Sequence, residues 1–168
     1  MAALNRRSAV VHVYPTAANY CRNLTYGVAP GRMEYATDTS RAVVASPSVA
    51  MFSNIRFIWS HAGGSLPFLA GRIDGAFSSA TDRLPNGFLE QARRFYYDTA
   101  GATNRGPLVS LLELVKPDHI LFGTDFPPGG TIQGTSDALR SLQLFSDSDL
   151  RAIERDNIVR LIPRLANS

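Results

Sequence analysis

A chain of 168 residues with 45% hydrophobic content has the size and apolar fraction of one globular domain with a sizeable core. No run approaches the roughly 18 apolar residues of a membrane span, and the first stretch lacks a signal-peptide pattern, so a cytoplasmic protein with no membrane partner is expected. The net charge of +3 rests on 17 basic residues, of which only Lys116 is a lysine; they are scattered, with no dense run interleaved with aromatics, which argues against nucleic acid. Arginine instead favours forked contacts with carboxylates. The single Cys21 excludes an internal disulfide, and no Cys/His cluster suggests structural zinc.

The first apolar run, Ala9 to Tyr14, reads as a strand, followed by a Gly- and Pro-containing loop from Pro15 to Arg32. A helix capped by Asp38 or Thr39 is expected through Arg41 to about Ala45. Ile55 to Ser60 is the second strand, and it ends in Ser60-His61-Ala62-Gly63-Gly64, where the glycine pair supplies a tight turn. Leu66 to Phe77 has helical spacing; residues 78 to 86 read as a loop and Phe88 to Arg94 as a short helix. Phe95 to Asp98 forms the third strand. Pro107 suits the first turn of a helix over Leu108 to Leu114, which stops before Pro117. The fourth strand, Ile120 to Thr124, ends in Asp125-Phe126-Pro127, and two helices, Thr135 to Phe145 and Ser148 to Leu161, close the chain, with caps available at residues 146 to 148.

Strands alternating with helices imply an α/β fold with a parallel sheet. In such sheets ligands sit beyond the carboxyl ends of the strands. Each later strand presents a polar group there: His61, Asp98-Thr99, and Thr124-Asp125. Asp125 can cap its turn or serve a site, and His61 can be a histidine satisfied by backbone in a glycine turn. With both at matching height, a proton-transfer or metal-binding pair becomes the favoured reading. His119 opens its strand, roughly 20 Å from Asp125, and is set aside. His12 shares a face with Tyr14 but lies about 7 Å deeper, and is read as a core histidine.

The segments from Ser60 to Arg72, Phe95 to Ala100 and Ile120 to Pro127 together resemble the amidohydrolase-related decarboxylases, the relatives of aminocarboxymuconate-semialdehyde, 6-methylsalicylate and γ-resorcylate decarboxylase. The resemblance implies a partial (β/α)8 TIM barrel, about the last four βα units, as a single domain over residues 1–168 with the N-terminal half of the barrel absent. It implies a divalent metal, zinc or manganese, with Asp125 as ligand and catalytic group, His61 as proton donor or activator of metal-bound water, and Arg72 reaching a substrate carboxylate across a dimer interface. Guanidinium and carboxylate match as a bidentate pair.

Tyr14-Pro15 stands where the family has His-Pro, and no His-x-His pair occurs, so the metal site implied is incomplete. The expected activity is loss of carbon dioxide from an aromatic or enol-type carboxylic acid, impaired in this chain alone. The expected partner is a second copy or a complementary half-barrel, because four strands leave two open edges. Two alternatives stand beside it: a catalytically inactive interaction module, and a metal-dependent hydrolase of the same superfamily.

Overall fold

The computed structural model describes residues 1–14, 52–78, 84, 86–127 and 129–167. The loop expected over 15–32, the helix near 38–45 and Cys21 lie outside them, as does much of the loop 78–86. A short helix α1 (Ala2–Arg6) leads into strand β1 (Val10–Val13). After it come β2 (Arg56–Trp59), a 3-10 turn (His61–Gly63), α2 (Leu66–Phe77), α3 (Gly87–Arg93), β3 (Tyr96–Asp98) and α4 (Arg105–Leu114). A second 3-10 turn (Pro117–His119) precedes β4 (Ile120–Leu121), and α5 (Ile132–Ser141), α6 (Asp147–Arg151), a π turn (Ala152–Asp156) and α7 (Asn157–Leu161) follow.

The four strands form one parallel sheet in the order β1-β2-β3-β4. Register pairs Val13 with Trp59, Ile58 with Tyr96, and Asp98 with Leu121, so the carboxyl ends of the strands lie level. Hydrophobic alternation builds the two faces, because successive side chains point to opposite sides of a strand. Phe57, Trp59, Tyr97 and Ile120 face out and pack on Leu66, Ala70 and Ile73 of α2, Phe88 and Ala92 of α3, and Leu111 and Leu114 of α4. Burying a side chain of this size contributes about 1.5–3 kcal/mol, so this layer is the main source of stability.

The described residues cover the opposite face only in part. Ile58 and Leu121 meet Leu161 of α7, with Val10, Tyr96, Ile158 and Ile162 around them. Nearer the carboxyl ends the same face carries His12, Tyr14, Asp98 and Asp125, and Tyr14 is 40% exposed. Among the described residues the strands therefore are not covered by helices along both faces, as their apolar sequence suggests. At that end the even-numbered positions of the first segment are polar, His12 in β1 and Tyr14 just after it.

Three observed helices, α2, α3 and α4, start and stop within three residues of expectation because their signals are local. Ser146 caps α6, its hydroxyl accepting from the Asp149 amide at 3.2 Å while the Asp149 carboxylate reaches back to the Ser146 amide at 3.1 Å. The single helix expected over Ser148 to Leu161 is instead α6, the π turn and α7. Asn157 explains the placement of α7: its buried amide donates to the carbonyls of Pro117 and Ile120, both at 2.8 Å, pinning the helix to the start of β4.

Candidate functional site

At the carboxyl ends of the strands, Asp98 is the hub. Its side chain is nearly buried, and Oδ1 accepts from the backbone amides of His61, at 2.9 Å, and Ala100, at 3.0 Å. Oδ2 lies 2.9 Å from His12 Nε2. One carboxylate thus ties three strand ends together. A carboxylate accepting several N–H donors is held in one orientation, and each such charged bond contributes about 1.5–3 kcal/mol.

The bond to the His61 amide supports an unusual backbone. His61 and Ala62 both have positive φ, 57° and 55°, followed by Gly63 at 75° and Gly64 at 63°. Two consecutive non-glycine residues in the left-handed region persist only where surroundings over-determine them. Gly63 is required for a second reason: a Cβ there would sit 2.8 Å from the Tyr97 ring. The turn tucks His61 beneath the site, 5% exposed, with Nδ1 2.8 Å from the Ala100 carbonyl. That carbonyl can only accept, so Nδ1 carries the hydrogen. Nε2, the other ring nitrogen, is buried and has no hydrogen-bond partner among the described residues. An unpartnered buried nitrogen is costly unless a ligand or proton meets it.

Asp125 is also in the left-handed region, at φ 59°. Gly129 allows its tight turn: its amide donates to the Asp125 carbonyl at 2.7 Å, and a Cβ at Gly129 would meet that of Asp125 at 2.6 Å. The Tyr14 hydroxyl donates to Asp125 Oδ1 at 2.5 Å, and the Tyr14 ring lies 5.2 Å from that of His61. A cavity of about 530 Å³ opens here, lined by His12, Tyr14, Asp98 and Asp125 on its polar side and by Ile58 and Phe126 among its apolar residues. Phe126, 74% exposed, forms part of the rim.

His61 and Asp125, both singled out in the sequence, are brought to one place through Tyr14. Arg72 is not: it lies on the exposed side of α2 and does not line the cavity. His12 is a correction. It is not a core histidine; its side chain is 48% exposed and paired with Asp98 on the open face. Asp98 is not set apart by the sequence alone, although its position at a strand end is the same signal that marks Asp125.

A metal needs three converging protein ligands even when a position stays open for catalysis. Among the described residues no group of three His, Cys, Asp or Glu converges, and the Tyr14 hydroxyl already occupies Asp125 Oδ1. These residues do not fit a resident metal by themselves.

Comparison with known proteins gives this arrangement a context. The chain is 35% identical to the decarboxylase yanB of Aspergillus niger, over 96% of its own length and 48% of that protein. It is 31% identical to a 6-methylsalicylic acid decarboxylase of Penicillium expansum, over 98% of this chain and 53% of that one. It spans about half the length of the curated relatives it matches. Among solved structures, 5-carboxyvanillate decarboxylase from Sphingomonas paucimobilis superposes with a TM-score of 0.84 at 18% identity, over 96% of this chain and 51% of the other. A dihydroxybenzoic acid decarboxylase from Polaromonas, solved with manganese and 2-nitroresorcinol, gives 0.80 at 20%, over 94% and 51%. At those identities the likeness is one of fold. The amidohydrolase family profile matches residues 1–164, and with that match spanning almost every element described above, the chain belongs to the amidohydrolase family.

Proposed function

We propose that this chain carries part of a decarboxylase site, acting on an aromatic, 6-methylsalicylate-like carboxylic acid, and that it works in association with further strands. The observation that carries the reading is the meeting of Asp98, Tyr14 and Asp125 around a cavity with ample room for a substituted aromatic acid, with the buried His61 ring, outside that lining, 5.2 Å from the ring of Tyr14. In non-oxidative decarboxylation the bond from ring carbon to carboxyl carbon breaks, carbon dioxide leaves, and the electron pair left on the ring takes a proton. His61 Nε2, buried and without a partner among the described residues, is the candidate proton carrier. Asp98 holds His61 in place through its backbone. Tyr14 and Asp125 present a hydrogen-bonded phenol and carboxylate to the same cavity, able to orient a ring hydroxyl.

Family relatives with bound manganese make a divalent metal, zinc or manganese, the expected helper in the complete enzyme. Asp125 would be this chain's contribution, the other ligands coming from outside the described residues. Arg72, away from the cavity, would serve a carboxylate only in a neighbouring copy or partner.

The test is carbon dioxide release from 6-methylsalicylate, with zinc or manganese added, by the chain alone and mixed with a full-length relative. Release abolished by His61→Asn and lowered at least tenfold by Asp125→Asn supports the reading. Release unchanged by both substitutions removes the site assignment.

A second reading, a non-catalytic module that binds a full-length relative, is favoured by one feature of α2. Its outer side carries Phe68, 80% exposed, beside Gly71 and Gly75, where an added Cβ would meet no atom within 4 Å. Small residues of this kind let another backbone approach closely. Co-purification with the relative, lost on Phe68→Asp and without any carbon dioxide release, would select this reading.

A further inference from the structure

The geometry points to a second ligand site, for a small aryl carboxylate, at the opposite end of the sheet from His61 and Asp125. A cavity of about 230 Å³ lies there, where β2 and β3 begin. Arg56 at the start of β2, Arg94 just after α3, and His119 just before β4 all line it, and among the described residues no aspartate or glutamate does. Among the described residues neither guanidinium is paired with a carboxylate. Two uncompensated guanidiniums sharing one cavity repel each other, and an anion between them relieves that repulsion.

The cavity is built rather than incidental. Arg94 is anchored at its outer end, Nη2 donating to the Ser53 carbonyl at 3.2 Å and Nη1 to Gln91 Oε1 at 3.4 Å. Gln91 is itself 5% exposed, so its polar side chain is held inside the wall. His119 Nδ1 meets the Phe95 carbonyl at 2.8 Å, which directs the other edge of the ring away from that bond. The same imidazole stacks on Tyr96 with centroids 4.7 Å apart and planes 13° from parallel. These contacts restrict three of the lining side chains before any ligand arrives, which lowers the ordering cost of binding.

The aryl class follows from the remaining walls. Phe52, Phe57 and Phe95 supply ring faces and edges to the same cavity. A bare phosphate would satisfy the arginines but leave Phe52, the least buried of the three, against water, whereas a planar acid serves both. The volume suits one ring with its carboxylate and little more. The strand separating the two cavities, from Arg56 to Ser60, is about 13 Å long, so one small molecule cannot reach both. This second site does not depend on the decarboxylase reading, because it uses none of His61, Tyr14, Asp98 or Asp125.

Titration of the full chain with benzoate, followed by amide chemical shifts, tests it, with inorganic phosphate titrated in parallel. The expected result is saturable shifts at Phe52 to Phe57, Arg94 to Tyr96 and His119, with phosphate weaker than benzoate. Arg56→Gln and Arg94→Gln should each weaken benzoate about tenfold, and Asp125→Asn should leave these shifts unchanged. Arg56 has no side-chain hydrogen bond or ion pair among the described residues, so its variant separates loss of the ligand contact from loss of structure; circular dichroism checks both. Benzoate affinity at these residues unaltered by both arginine substitutions would overturn the site. Shifts confined to the His12, Tyr14 and Asp125 end would do the same, and phosphate binding as tightly as benzoate would overturn the aryl class.

Discussion

Asp98 organises the site through atoms that strand-end position alone does not reveal: one oxygen serves two backbone amides and the other a histidine ring. Asp98→Ala should therefore destabilise the fold by about 2–3 kcal/mol, since two buried amides lose their acceptor, and should speed hydrogen exchange at the His61 amide. Exchange at that amide unchanged in the variant would mean Asp98 does not hold the turn. Gly63→Ala adds a methyl 2.8 Å from the Tyr97 ring at a positive φ; overpacking and backbone strain together should cost about 2–4 kcal/mol in urea unfolding. Tyr97 makes a pH prediction. Burial pushes its phenol above the ordinary tyrosine value, and its hydroxyl donates to the Ala92 carbonyl at 2.8 Å. The unfolded chain ionises this tyrosine near pH 10 while the folded chain does not, so its contribution is complete below that pH and is lost as pH rises. Tyr97→Phe should cost about 1 kcal/mol at neutral pH and reduce the decline in stability above pH 10.

At the scale of elements, the helices were legible where capping and turn signals are local, and less so where a tertiary bond intervenes. Pro107 sits in the first turn of α4, and Ser146 closes a capping box at α6. Ser146→Ala should lower the unfolding free energy by about 1 kcal/mol. The division of the last helix into α6, a π turn and α7 depends on Ile153 and Asn157 meeting β4 and the turn before it. Phe122 donates to the Ile153 carbonyl at 3.0 Å, and Asn157 bonds two carbonyls forty or fewer residues earlier. No periodicity in the helix itself encodes those partners. Asn157→Ala, leaving both carbonyls short of a donor, should cost about 2–3 kcal/mol. A cost below about 0.5 kcal/mol, the lower end for one such bond, would show that packing rather than this amide seats α7.

For the whole molecule, the parallel sheet has β1 and β4 as its edges among the described strands, and its inner face is only partly covered by α7. Unpaired strand edges beside an open apolar-to-polar face invite pairing with further strands. Light scattering at micromolar concentration should therefore find an assembly, either of copies or with a longer relative, and a stable monomer would count against association as the route to a finished site. The open face also explains why His12 departs from its expected place. A histidine in the middle of an apolar strand looks buried when both faces are taken as covered, and among the described residues one is not.

The alternation of apolar runs and helical segments was sufficient to establish a parallel α/β fold, because hydrophobic periodicity is written locally in the chain. The polar residues closing those runs likewise marked the end of the sheet where His61 and Asp125 lie. The partners were decided only by the tertiary structure: Tyr14 on Asp125, Asp98 on three strand ends, and the cavity between Arg56 and Arg94. Each joins residues far apart in the chain by a hydrogen bond or across one small cavity, and strand register, not residue order, determines which side chains come that close.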